Sequence, residues 1–276
     1  MEIANNLKPV AYLMTCKTDL HAGSGDSTFG VIDNLVQRDS ITEMPTVNAS
    51  SLKGALREYF SYYWKQQEEK DYQKKLNYIF GVDNQRKTDA TEKFDSEIGH
   101  YKFFPADLLV LPVRSSYGVA YYHGTCPFLK EEIERKADFF GTTINFPTYP
   151  AQEGKSPKIK SQQPVLLEDF KAITDSNGLD QNDILGDNIA WFNDQQFKQI
   201  AEQLPVIARN SLENGISKNL WYEEVVPRET RFVFFVLQDG DYRKDFEDLL
   251  LDEKPIQVGA NSSIGRGYIS IKKISQ

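Results

Sequence analysis

The 276-residue sequence is short of several things, and each shortage narrows what it can be. Two cysteines, Cys16 and Cys126, are too few for a disulfide framework and fit a reducing compartment. Three histidines, with no HExxH and no CxxC, offer no structural zinc site. The longest apolar runs, residues 108–113 and 232–237, fall far below the roughly 20 residues that a membrane-spanning helix needs. The opening residues MEIANNLK are polar and lack a signal-peptide core. A soluble, cytoplasmic protein with no membrane partner is therefore expected. The chain also lacks the GxSxG nucleophile elbow, although composition alone leaves a Ser/His/Asp triad open.

Cations are short as well. Lys and Arg number 32 against 40 Asp and Glu, a net charge of −8. Phosphate attraction dominates nucleic-acid affinity, so such a balance would ordinarily argue against that class of ligand. The deficit is local, however. Residues 175–204 hold six acids and one base, and residues 239–253 hold seven acids and two bases. These two stretches carry −10, leaving +2 for the rest. What the chain has in quantity is aromatic side chains, with 17 Phe, 14 Tyr and 3 Trp, enough to pack a large core.

Along the chain, residues 9–18 (PVAYLMTCKT) predict a first strand. Residues 21–30 (HAGSGDSTFG) predict a loop. Residues 44–49 are expected to be extended up to Ser50-Ser51, which predict the N-cap of a helix over 52–67. In that helix Leu52, Ala55, Leu56, Tyr59, Phe60 and Tyr63 recur at i, i+3, i+4 spacing and form one buried face. Residues 83–97 are polar and predict a mobile loop; 101–113 and 118–122 predict strands, and 127–140 a helix. The proline- and lysine-bearing span 141–164 predicts an extended surface insertion, and 180–204 a helix in its second half. Residues 206–210 and 220–226 flank Asn214-Gly215, a strong hairpin signal. A buried strand over 230–237, a short acidic helix over 242–251 and a strand–turn–strand over 256–274 complete the pattern. Strands and helices alternate irregularly, which favours an α+β sheet with insertions over a doubly wound parallel sheet.

Few segments carry chemistry, and each has a plain structural alternative. In Ser50-Ser51-Leu52-Lys53-Gly54-Ala55-Leu56-Arg57, a helix start with Lys53 and Arg57 one turn apart makes a phosphate site, or simply a capped helix with two solvated cations. In residues 259–267 (GANSSIGRG), glycines admit close backbone approach and Arg266 supplies a fork. The segment is neither a P-loop nor a dinucleotide fingerprint, and it equally fits a turn before an edge strand. Asp33 is the best-placed lone carboxylate: beside bound phosphates it could hold a hydrated Mg²⁺, or it could cap a turn. Trp221 and Tyr222, beside Glu223-Glu224, could stack on bases from a hairpin or pack on its core.

Taken in order, these segments resemble the RAMP superfamily of CRISPR proteins. The resemblance rests on His21-Ala-Gly-Ser-Gly25, Gly30-Val-Ile-Asp33, Gln37-Arg38, Pro45, Ser50–Arg57 and the closing Gly259–Gly267 loop. Within the superfamily, Leu220-Trp-Tyr-Glu-Glu224 followed by Pro227 resembles the repeated backbone subunit of type III-B (Cmr) complexes. The run Pro45-Thr-Val-Asn-Ala-Ser50 departs from the more usual Pro-x-Ile-Pro-Gly-Ser. The resemblance implies a single RAMP domain over 1–276: a modified ferredoxin-like (RRM-type) palm, a helical insertion near 83–205 and a β-hairpin thumb near 206–226. It implies a CRISPR RNA-binding subunit stacked head-to-tail with its own copies and with other Cmr subunits. That assembly would cleave target RNA at regular intervals by metal-dependent in-line 2′-OH attack, with Mg²⁺ or another divalent cation. Asp33 would be catalytic and metal-holding, with His21, Glu223 and Glu224 secondary candidates. Ser50, Ser51, Lys53, Arg57, Arg38, Asn261, Gly265, Arg266, Trp221 and Tyr222 would bind RNA. A type III-A backbone subunit, a non-catalytic guide-RNA scaffold and a soluble metabolic enzyme holding a small phosphate ligand are the rival readings.

Overall fold

The structure is a computed structural model that describes residues 7–27, 31–82, 98–149, 156–161, 163–175 and 181–275. Its first half runs β1 Lys8–Cys16, β2 Gly23–Ser27, β3 Asn34–Val36, β4 Thr46–Val47, α1 Ala49–Gln66, α2 Tyr72–Phe80, β5 Lys102–Phe103, β6 Ala106–Arg114, β7 Tyr121–Thr125 and α3 Pro127–Phe140. Small strands follow: β8 Lys158–Ile159, β9 Val165–Leu167, β10 Phe170–Thr174, β11 Gln181–Asn182, β12 Gly186–Asp187 and β13 Ile189–Trp191. The chain ends with α4 Asp194–Glu202, β14 Val206–Glu213, β15 Ile216–Glu224, β16 Arg231–Gln238, α5 Arg243–Leu250, β17 Ile256–Gln257 and β18 Tyr268–Lys273.

The expected α+β class holds. One twelve-stranded sheet runs β17-β18-β1-β16-β6-β7-β13-β8-β10-β9, with β4 paired to β6 and β5 to β16. Its centre is antiparallel throughout: β18 with β1, β1 with β16, and β16 with β6. Both faces of this centre are covered, so its strands are near-continuous apolar runs rather than polar–apolar alternations. Val10, Tyr12 and Met14 of β1 and Phe232 and Phe234 of β16 pack under α1, α2 and α5. The intervening Ala11, Leu13, Val233 and Phe235 join Ile133, Ala137 and Trp191 on the opposite face. The aromatic wealth is concentrated in the first of these layers, where Phe60 and Phe246 stack at 5.0 Å.

Several expectations need correction. Helix α1 begins at Ala49, three residues earlier than its apolar pattern suggests, with Asn48 as N-cap. The reason is tertiary: Gln37 Oε1 accepts the Asn48 N–H at 2.7 Å, and Gln37 Nε2 donates to Ser51 Oγ at 2.9 Å. Ser50 and Ser51 therefore sit in the first turn and cap nothing. Residues 23–27, expected in a loop, form β2 against β3, an edge pair that no apolar periodicity announces. The strand expected over 101–113 breaks at Phe104-Pro105 into β5 and β6, because proline has no N–H for the ladder. The next strand starts at Tyr121, after a turn at Gly118. The span 141–164 is not simply a surface insertion: Ile144 and Ile159 are buried, and Tyr149 lies 4.1 Å from the Trp191 ring. Within 83–205, the described part holds α3 and α4 but also β5–β13, and β6 lies in the main sheet. The loop expected at 83–97 falls outside the described residues. The hairpin is longer than its signal, with Asn214 and Gly215 both at positive φ (51° and 77°) at its tip.

Candidate RNA-binding and cleavage site

A second sheet, ordered β14-β15-β3-β2, brings the distant motifs together. Glu223 of β15 pairs in parallel register with Asn34 of β3, so Asp33 lies at the edge of the hairpin. The contact is reciprocal. Asp33 N–H donates to the Tyr222 carbonyl at 3.1 Å, and Asp33 Oδ2 accepts the Tyr222 N–H at 2.7 Å. Asp33 is exposed, and its Oδ1 has no partner among the described residues. One carboxylate oxygen is thus held by the hairpin, and the other is left without a partner among the described residues.

Glu223 and Glu224 behave differently. Both are buried. Glu223 accepts from Trp221 Nε1 (2.8 Å), Arg209 Nη1 (3.2 Å), Asn261 Nδ2 (3.1 Å) and Arg266 Nη1 (2.9 Å). Burial works to raise this carboxyl, but the bonds from Trp221 and Arg209 and Arg209's charge outweigh it, and the group titrates below the usual glutamate range. Glu224 takes Arg38 Nη2 at 2.6 Å and the Val36 N–H at 3.1 Å. His21 is buried beside it, its Nδ1 2.7 Å from the Glu224 carbonyl oxygen. None of these three side chains faces solvent as an acid or base; each fixes the hairpin to its surroundings.

Several of the expected RNA-binding side chains are also engaged within the chain. Arg266 and Asn261 join the glycine loop to Glu223, and Arg38 donates to Glu224 and to the Glu43 and Ala201 carbonyls. Trp221 is half-buried, with the Arg209 guanidinium 5.3 Å from its ring. The pleat puts Trp221 and Glu223 on the face toward the glycine loop, and Leu220 and Tyr222 on the other, where they are 54% and 37% exposed. Tyr222 is therefore the more exposed of the two aromatic rings. Gly265 and Gly267 have positive φ, and a Cβ on Gly267 would collide with the Val258 carbonyl oxygen. The loop needs glycine for its own packing.

At the start of α1 no side chain caps the helix. Ser50 is exposed there, and Ser51 holds Gln37. Lys53 is half-buried; burial, then the charges of Lys102 and Arg57, hold its ammonium below the usual lysine range. Arg57 donates to the Gly81 carbonyl. The cluster is cationic and self-repelling, which a bound anion would relieve. Gly54, on the same turn, is exposed, and a Cβ there would meet nothing within 4 Å, so packing does not demand glycine at this position. Sequence reasoning missed Arg209, Lys102 and the role of Gln37. Arg209 was reachable as the cross-strand partner of Trp221; Lys102 had no local signal.

No three His, Cys, Asp or Glu among the described residues form a metal-binding group. With Glu223 and Glu224 engaged by arginines, the carboxylate that this cluster leaves open among the described residues is that of Asp33. That donor set fits Mg²⁺, which is commonly held by one or two carboxylates, several waters and substrate phosphates.

An antiparallel-centred α+β sheet with a glycine-rich closing loop and a hairpin beside an exposed carboxylate defines the class. Residues 13–270 match the RAMP superfamily, and the chain belongs to it. Among individual proteins, it is 30% identical over 284 residues to the CRISPR system Cmr endoribonuclease Cmr4 of Pyrococcus furiosus, covering 92% of each chain. Its fold is similar to a chain of the type III-B Cmr-beta complex bound to cognate target RNA, with a TM-score of 0.75, 19% identity and 98% of each chain covered. It is also similar to oligomeric Cmr4 from Pyrococcus furiosus, with a TM-score of 0.68, 23% identity and coverage of 97% and 99%. Among the described residues, no helix is long and apolar enough to cross a membrane.

Proposed function

We propose that this chain is the backbone subunit of a cytoplasmic type III-B (Cmr) effector. In this reading it stacks head-to-tail with its own copies on CRISPR RNA, beside other Cmr subunits, and cleaves paired target RNA. The likeness to Cmr4 supports type III-B over type III-A. The strand order β18-β1-β16-β6, with α1 between β1 and β6 and α5 between β16 and β18, supports a ferredoxin-like palm. β14–β15 is then the thumb, within one domain over 1–276.

The uncapped start of α1, with Lys53, Arg57 and bare Gly54, takes the guide backbone. The loop around Asn261–Gly267 approaches alongside through its main chain. Tyr222 and Leu220 on the outer hairpin face meet the guide–target duplex. Asp33 acts at the displaced nucleotide, where its carboxylate orients the scissile region for in-line attack. Bound there, a divalent cation such as Mg²⁺ would supply charge neutralisation at the phosphate. Asp33 would be its protein ligand, while His21, Glu223 and Glu224 position the hairpin.

The observation that carries this reading is the Asp33–Tyr222 pairing, which fixes an exposed carboxylate to the hairpin. Asp33→Ala should abolish periodic cleavage of target RNA by the assembled complex while guide loading and target binding persist. Undiminished cleavage would overturn the assignment and favour the scaffold reading.

A further inference from the structure

Arg228 differs from the other arginines of the described residues. Arg38, Arg114, Arg135, Arg209 and Arg266 pair with carboxylates, and Arg57, Arg231 and Arg243 donate to backbone carbonyls. The Arg228 guanidinium has neither kind of partner among the described residues. It is exposed, and its Cζ lies 5.9 Å from the centroid of half-buried Tyr121. An arginine drawn over an aromatic face keeps its in-plane N–H fork open, the geometry that matches a phosphate.

The backbone that presents it is firmly held. Arg228 N–H donates to Asp19 Oδ1 at 3.0 Å, Glu229 N–H to the Cys16 carbonyl at 2.7 Å, and Thr230 Oγ1 to the Pro227 carbonyl at 2.7 Å. Asp19 also accepts the Gly267 N–H through its own carbonyl at 2.8 Å, tying this turn to the closing glycine loop. Neither neighbouring acid forms an ion pair with the guanidinium: the Asp19 carboxylate accepts the Arg228 main-chain N–H, and Glu229 lies 3.9 Å from His123 Nε2. Six residues separate Arg228 from Tyr222, at most about 20 Å of extended chain. A strand of nucleic acid presents a phosphate roughly every 3.4 Å of helix axis, so one RNA can reach both positions.

We infer that Arg228, held over the Tyr121 ring, is a further contact for an RNA phosphate, beside the glycine loop and on the same strand path as Asp33. This rests on the RNA-binding reading above and adds a site to it. The test is a titration of the full chain with fluorescently labelled single-stranded RNA of guide length across a salt series, using wild type, Arg228→Ala, Arg228→Lys and Tyr121→Leu. Arg228→Ala should bind more weakly and flatten the dependence of log K on log salt by roughly 0.7 per subunit, the loss of one phosphate contact. Arg228→Lys should keep the slope but bind less tightly than wild type, since its point charge has no planar fork. Tyr121→Leu should likewise keep the slope and lose affinity. If Arg228→Ala matches wild type while Lys53→Glu/Arg57→Glu loses RNA, the Arg228 site is wrong and the RNA-binding reading stands. If wild type binds no RNA, both fall. Unchanged RNA binding with impaired self-assembly of Arg228→Ala would assign the residue to a contact between copies and overturn the proposal.

Discussion

Removing the Glu223 carboxylate should loosen the hairpin and the glycine loop together, because four donors from both elements converge on it. In Glu223→Ala, Trp221 Nε1, Asn261 Nδ2 and the guanidinium groups of Arg209 and Arg266 lose that acceptor. Taking away one partner of a buried ion pair typically costs about 3–5 kcal/mol. The side chains of Arg209 and Arg266 are 23% and 11% exposed, so water partly replaces the carboxylate and the lower end, about 3 kcal/mol, is expected. For a chain somewhat above 250 residues that amounts to a fall in Tm of roughly 6–10 °C by calorimetry. Glu223→Gln keeps an acceptor for Trp221 but not the charge and should fall by less. The pH dependence has a definite sign. The folded carboxyl titrates below its unfolded value near about 4.3, so its stabilisation is complete above that pH and fades as pH falls through the folded value. Glu223→Gln should lack this acid limb. A Glu223→Ala protein melting within about 1 °C of wild type, or a Gln variant with an unchanged acid limb, would refute the hub.

Two further outcomes follow from the same geometry. Gly267→Ala should destabilise by roughly 2–4 kcal/mol, since its Cβ meets the Val258 carbonyl oxygen at positive φ, whereas Gly265→Ala, with open space around it, should cost about 1 kcal/mol; urea denaturation distinguishes them. Lys53 has a lowered pKa in the free chain, and a bound phosphate favours its charged form. RNA binding in alkaline buffer should therefore be accompanied by proton uptake, seen as calorimetric heats that vary with buffer ionisation enthalpy; identical heats across buffers would exclude it.

The core helices and strands were legible because their signals are local. The i, i+3, i+4 pattern of Leu52, Leu56, Tyr59 and Phe60 finds the buried face of α1, and Pro127 at the start of α3 marks the bounds expected for it, residues 127–140. Asn214-Gly215 similarly announces the hairpin tip. Local signals failed where a distant residue intervenes. Gln37 moves the start of α1 to Ala49, and β3 draws residues 23–27 into an edge strand.

The candidate site divides in the same way. Residue types and their order, from His21 and Asp33 through Lys53 to Arg266, are fixed in the sequence and suffice for the family resemblance. Which of them face outward is not. Asp33 is exposed because β3 meets β15 in parallel, across 189 positions of chain. Glu223, Glu224, Arg38 and Arg266 turn inward because buried carboxylates require cationic donors, and the fold brings Arg38, Arg209 and Arg266 to them from three separate segments. The net charge of −8 was set by composition, and its confinement to two stretches by residue order. Only tertiary packing decided which cations remain open to an anion, because that depends on which carboxylates reach them first.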